Sequence, residues 1–286
     1  MVCISLCSVY EYVKSDKSAL LKYLETLQDT RFTEMELAST YVSIYDGGLV
    51  LHSVLSRTNY GASFASIART VLITVCSGNT TEVHLCLDKY IENSIKDSER
   101  KLRGSEDMAY FITGPEQTIR QNGQKLLNNA NLKNEMSKFF VNEWKKNHYY
   151  DIMAGKVVYV SYGGECYKYI PDGEHQNVTV TQPSVYQGDH EEADTLIAFH
   201  VANITGDVVV RASDTDVLAI LIGSAGQRLP EDRVIMDYGT GNSRRYIDVT
   251  NIVQGLEHLK PGLSTAIPAY HAFTGCDFTS SFYRYV

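Results

Sequence analysis

The chain has no paired cysteine spacing, no long apolar run, no internal repeat and no low-complexity stretch, and each absence excludes a class of protein. Its six cysteines (Cys3, Cys7, Cys76, Cys86, Cys166 and Cys276) form no CxxC pair and no His–Cys zinc spacing. A zinc module and a disulfide scaffold are thereby disfavoured, and a reduced compartment fits. No segment approaches the length of a membrane span, and the apolar start MVCISLCSVYEYV lacks a basic n-region and a cleavage site. Asn79, Asn177 and Asn203 open glycosylation triplets, which without a secretory signal are chance matches. An excess of positive charge is missing too. The net charge of −8 argues against a surface that coats nucleic acid indiscriminately, while leaving room for a local basic strip. At 286 residues with ordinary apolar and charged fractions, the chain can bury a full core, as one large domain or two small ones.

What is present is organised around GDHEEADTLIAFHVANITGDVVVRASDTDVLAILIG, residues 188–223. Ala193, Leu196, Ile197, Val201 and Ile204 recur at helical spacing, and Gly206-Asp207 ends that helix. Val208-Val209-Val210 is a β-branched run suited to a buried parallel strand. Ser213-Asp214-Thr215-Asp216 follows, and Val217–Ile222 returns to helix, so Asp214 and Asp216 fall at the carboxyl edge of a sheet, where ligands bind in open α/β folds. Glu191, Glu192 and Asp194 occupy the first turn of the preceding helix. One acid there is a simple cap. Three, facing two more at a strand end, repel and raise one another's pKa unless a cation sits among them. The stretch reads as half of a metal site.

The rest of the chain repeats the device. Residues 1–40 read as a mixed helical appendage. Tyr41–Tyr45 reads as a strand ending in Asp46-Gly47-Gly48, which alone is an ordinary turn. A helix follows, then an apolar helix over 65–75. Glu82–Leu87 is a strand ending in Asp88. The segment KYIENSIKDSERKLR after it predicts a basic helix, with Lys96 and Arg100 on one face and Arg103 two turns from Lys96. A solvated charged helix and a phosphate clamp both satisfy that pattern. Residues 115–148 read as helical with a broken apolar stripe, 156–170 as a hairpin at Gly163-Gly164, and 172–190 as polar and turn-rich. Strands over 233–237 and 244–249 and a helix over 252–259 come next. A short helix from Pro268 ends at Gly275-Cys276-Asp277, close enough to the last residue that the chain reads as truncated.

Strands alternating with helices predict a mainly parallel sheet whose strand ends share one edge. Asp46, Asp88, Glu192, Asp194, Asp214, Asp216 and Asp277 would converge there, and such a set demands hard divalent cations, Mg²⁺ or Mn²⁺. Two ions roughly 4 Å apart are the usual device for in-line phosphodiester hydrolysis. A phosphatase-type reading of SDTDVL is disfavoured, since it expects a following Thr or Ser and a downstream lysine motif that Val217-Leu218 and the later sequence do not supply.

This order of motifs resembles the flap endonuclease/XPG family of structure-specific 5′ nucleases in the PIN-like superfamily. The matching segments are YVSIYDGGLVLHSVL, VHLCLDKYIENSIKDSERKLR, Glu192-Ala193-Asp194, SDTDVL and TGCDFTS, spanning roughly Tyr41 to Asp277. The resemblance implies a three-layer α/β/α sandwich over residues 41–286 with a helical cap or arch within 104–150. It also implies a metal-dependent nuclease acting on nucleic acid, DNA before RNA, in an intracellular, nuclear location with no membrane. By that resemblance Asp46, Asp88, Glu192 and Asp194 surround one metal, and Asp214, Asp216 and Asp277 serve the second. Lys96 and Arg103, with Arg100 an equal candidate, engage the scissile phosphate. The chain departs from the family in three respects. Asp194 stands where a Glu is usual, the interval from Asp88 to Glu192 is long, and no DNA-gripping element follows Asp277. A catalytically silent PIN-like module that binds nucleic acid or protein is the competing expectation.

Overall fold

The computed structural model describes residues 17–28, 37, 40–89, 109–120, 123–127, 129–153, 155–229 and 231–275. In chain order its main elements are α1 (Lys17–Glu25), β1 (Val42–Asp46), α2 (Gly47–Leu55), α3 (Phe64–Cys76), β2 (Glu82–Cys86) and α4 (Ala130–Glu143). They continue with β3 (Val157–Tyr162), β4 (Glu165–Asp172), β5 (Asn177–Thr181), α5 (Ala193–Ala202), β6 (Val208–Ala212) and α6 (Thr215–Ala225). The last are β7 (Val234–Tyr238), β8 (Arg245–Asp248), α7 (Val249–Leu259) and α8 (Leu263–Gly275).

The strands form one sheet in the order β5-β4-β3-β2-β1-β6-β7-β8. The five central strands, β3-β2-β1-β6-β7, run parallel. The outer pairs β3–β4, β4–β5 and β7–β8 are antiparallel hairpin extensions. β1 lies at the centre, with β2 on one side and β6 on the other, so the chain switches direction across the sheet between β1 and β6. That crevice is where open α/β sheets bind ligands.

Period-two alternation divides the strand side chains between two helical layers. Ile44, Cys86, Val208, Val210 and Met236 join a core with α1, α5, α6, α7 and α8. Val83, Leu85, Val158 and Val160 join a second core on the other face with α2, α3 and α4. The chain is thus α/β, a mostly parallel mixed sheet with helices on both faces. Of residues 1–40, α1 belongs to the first core, because Leu21 and Leu24 are buried there and Glu25 pairs with Arg245, while Leu37 packs against Val209 and Ile235. No described helix is long and apolar enough to cross a membrane.

Three local readings are corrected. Residues 109–120 are not helical: Pro115, Gln117 and Ile119 exchange backbone hydrogen bonds with Ala62, Phe64 and Ala65, pinning the segment against the start of α3. The apolar stripe further on is core, with Leu132, Met136, Phe140 and Trp144 fully buried and the Trp144 Nε1–H donating to the carbonyl of Ala68. The polar 172–190 segment contains β5, which alternation missed because this edge strand buries little beyond Val178. α8 begins at Leu263, ahead of Pro268, whose ring packs on Gly223. A Cβ at Gly223 would stand 2.4 Å from Pro268 Cγ, so only glycine lets α6 and α8 approach this closely.

Candidate metal centre

Three aspartates stand at the ends of three adjacent parallel strands. Asp46 is the last residue of β1, Asp88 lies two residues past β2, and Asp214 two past β6. Ile44, Cys86 and Ala212 face the α5–α6 core, and each aspartate follows one of them by two residues. All three therefore continue the same side of the sheet.

Two of the aspartates also start helices and the third bonds the start of one, which is the mundane half of their role. Asp46 caps α2, its Oδ1 accepting from the Gly48 and Leu49 amides at 2.8 and 3.3 Å. Asp214 caps α6 by accepting from the Asp216 amide at 2.9 Å. Asp88 reaches across to α5 and accepts from the Ala193 amide at 2.9 Å, between Glu192 and Asp194. The helix starts thus aim amide donors at the carboxylates, which lowers the cost of gathering negative charge. Their second oxygens accept no hydrogen bond among the described residues.

The compensation is incomplete. Burial, and then the charge of Asp88, push the Asp46 carboxyl up to about 6, with a smaller push from Asp214, against the pull of the two amides. Gly47 enforces this proximity: a Cβ there would lie 2.5 Å from Leu87 Cδ2 and 2.6 Å from the Cys86 carbonyl. Any side chain would wedge the end of β1 away from that of β2.

The remaining predicted residues divide into those placed and those outside the description. Glu192 is the N-cap of α5 without making a side-chain cap bond, and Asp194 lies in its first turn. Asp216 is in the first turn of α6, its Oδ1 2.7 Å from Nε2 of the nearly buried His271 on α8. Lys96, Arg100, Arg103 and Asp277 lie outside the described residues, as does nearly all of the segment expected to form a basic helix. Among the described residues, no three His, Cys, Asp or Glu side chains gather closely enough to hold an ion as they stand. Neighbouring strands lie about 4.8 Å apart, so the strand-end aspartates form a row of like charges.

Two participants at this edge carried no sequence signal of their own. Lys89 reaches Asp189 at 2.6 Å and its amide donates to the Glu191 carbonyl, tying the loop after β2 to the approach to α5. His271 approaches Asp216 only because α8 packs on α6, a contact between residues 55 positions apart.

No family model, curated protein or solved structure matches the chain. The functional reading rests on the geometry and on the order of motifs.

Proposed function

We propose that the carboxyl edge is the active site of a divalent-metal-dependent nuclease with a PIN-like three-layer α/β/α fold, hydrolysing phosphodiester bonds of nucleic acid, DNA before RNA. The observation that carries the reading is the row Asp88–Asp46–Asp214 at the switch point, with Asp46 held up to about 6 beside its two neighbours. Carboxylates left under mutual repulsion at a ligand-binding edge are a mark of function.

The donor set fits Mg²⁺ or Mn²⁺, since every candidate ligand offers hard carboxylate oxygen. Asp46, Asp88, Glu192 and Asp194 would hold one ion, and Asp214, Asp216 and Asp277 would serve the second. Bound there, the ions supply hydroxide at neutral pH and neutralise charge at the leaving oxygen. The protein's own contribution is orientation. An amide fixes one oxygen each of Asp46, Asp88 and Asp214, leaving the other for a ligand. His271 holds one oxygen of Asp216 in the same manner. Lys96 and Arg103, or Arg100, would position the scissile phosphate by charge.

The test is cleavage of labelled single-stranded, duplex and flap DNA and of RNA with Mg²⁺, Mn²⁺ or EDTA, with Mn²⁺ binding followed in parallel by electron paramagnetic resonance. Metal-dependent cleavage is expected from the wild-type chain. Asp214→Asn should lower it by at least about 10²–10³-fold while keeping the circular dichroism spectrum. Folded protein that binds Mn²⁺ and leaves every substrate intact would replace the nuclease with a silent binding module. Folded protein that binds no Mn²⁺ would remove the metal centre altogether.

A further inference from the structure

Beneath the acidic edge a hydrogen-bonded chain of four side chains crosses from β2 to α5 and on to β3. Glu82 Oε1 lies 2.9 Å from His84 Nε2, His84 Nδ1 lies 2.7 Å from His200 Nδ1, and His200 Nε2 lies 2.8 Å from Ser161 Oγ. Both imidazoles are fully buried and Ser161 nearly so, while the Glu82 side chain keeps 30% exposure. Tyr159 stacks on His84 and Tyr186 on His200, with centroids 4.4 and 4.6 Å apart, closing the pair off from solvent.

The donors run one way. An ionised Glu82 accepts the His84 Nε2–H, leaving His84 Nδ1 as an acceptor. His200 then donates its Nδ1–H and accepts at Nε2 from the Ser161 hydroxyl. One added proton can be absorbed by reversing the inner links: His84 becomes a double donor between Glu82 and His200, and His200 donates its Nε2–H to Ser161. A second proton cannot be absorbed. It sets two N–H donors and two positive charges against each other at the Nδ1–Nδ1 contact, in an interior of low dielectric.

We propose that this chain is an acid-sensitive latch: it fastens α5 to β2 and β3, and the second proton breaks its central His84–His200 link and frees the helix. The proposal does not depend on the nuclease reading. The surroundings favour the neutral, closed state. Burial holds both imidazoles below the usual histidine range, and His84 and His190 lower His200 further. On the sheet side stand Tyr159 of β3 with Lys168 of β4 over its ring, and the buried thiols of Cys86 and Cys166. Tyr186 faces the pair from the turn before α5. β1 and α6 meet α5 through the apolar core. Glu82 is the one anion bonded to the pair, and it raises His84 against burial. The closed chain holds at most one proton, whereas both histidines protonate near pH 6.5 when released, so closure is favoured above that pH and weakens below it, by up to roughly tenfold per pH unit for each proton gained on release.

Amide hydrogen exchange of residues 196–202 from pH 7.5 to 4.5, corrected for the intrinsic chemical rate, tests the latch. Protection of α5 should fall at least about tenfold between pH 6.5 and 5, while α3, on the opposite face of the sheet, keeps its protection. The double variant His84→Leu/His200→Leu should remove the pH step. Glu82→Gln, which keeps the acceptor but loses the charge that steadies a first proton on the closed chain, should deepen the fall and remains informative if the double variant does not fold. Constant α5 protection down to pH 4.5, loss of α3 in the same step, a shallower fall in Glu82→Gln or an unchanged step in the double variant would each overturn the proposal.

Discussion

Two groups of titratable side chains lie one above the other in this fold and are treated in opposite ways. At the carboxyl edge Asp46, Asp88 and Asp214 are set in a row, each held by one oxygen, with no salt bridge to any of them among the described residues. One layer down, His84 and His200 are sealed under tyrosine rings with every ring nitrogen bonded. Burial acts on both groups, but only in the histidine layer does neutrality relieve it. There the groups hold the fold together at neutral pH. At the edge the uncompensated charge opposes folding and persists because the strands and helix starts impose it. Unrelieved repulsion of that kind is what supports the proposed ligand site, whereas a closed polar network is the pattern of a structural joint.

The largest expected effect breaks the histidine side of the comparison. His200→Ala removes a fully buried ring, leaves a cavity beneath Tyr186 and deprives both His84 Nδ1 and the Ser161 hydroxyl of partners. A loss of about 3–5 kcal/mol in urea unfolding at pH 7.5 follows from the cavity and the orphaned groups together. A loss below about 1 kcal/mol would mean that the network is ornamental and that the apolar core alone seats α5.

The acidic side responds with the opposite sign. The Asp46 carboxyl is pushed up to about 6 in the fold, above its ordinary value of 3.8, so its ionised form disfavours folding wherever the pH exceeds about 6. Asp46→Asn keeps an oxygen for the Gly48 and Leu49 amides and removes the charge. It should stabilise the metal-free protein at pH 7.5 by about 1–3 kcal/mol. The gain should shrink as the pH falls from 6 toward 4, where the wild-type carboxyl takes up its proton. Added Mg²⁺ should raise the melting temperature of the wild type and not of the variant. A variant less stable than wild type at pH 7.5 without metal would make Asp46 an ordinary cap.

The two regions also differ in how far sequence exposes them. The strand-end aspartates are legible because local rules converge on them. A β-branched run, an acid and a return to helical spacing occupy consecutive residues at Val208–Asp216, and capping fixes where the acid points. Parallel order across β3-β2-β1-β6-β7 follows from the alternation of strands and helices. The histidine layer has no such signature. His84 sits in the apolar strand EVHLC and His200 on an apolar helix, 116 residues apart, and only the packing of α5 on β2 brings them together. The same limit hid His271 from Asp216. The extended stretch over 109–120 escaped because its partners are backbone groups at the start of α3, which no side-chain period records.

The smallest effect sharpens the boundary between the two regions. Lys89 is the one described cation bonded at the junction of the β2 loop and the approach to α5, and its partner Asp189 is almost wholly exposed, its carboxyl drawn below the usual range by the Lys89 ammonium. A pair this open to water is screened, so Lys89→Ala should change stability by less than about 0.5 kcal/mol. What holds the junction is the Lys89 amide on the Glu191 carbonyl and the Asp88 carboxylate on the Ala193 amide, neither of which needs the lysine side chain. Thermal melts of Lys89→Ala and Asp88→Ala therefore separate charge from tether. The lysine variant should melt with wild type, while the aspartate variant, losing a cap-type bond against a partial gain from relieving Asp46, should melt about two degrees lower. If the lysine variant fell further than the aspartate variant, surface charge would hold α5 at this end, and the acidic row would have a resident counter-charge after all.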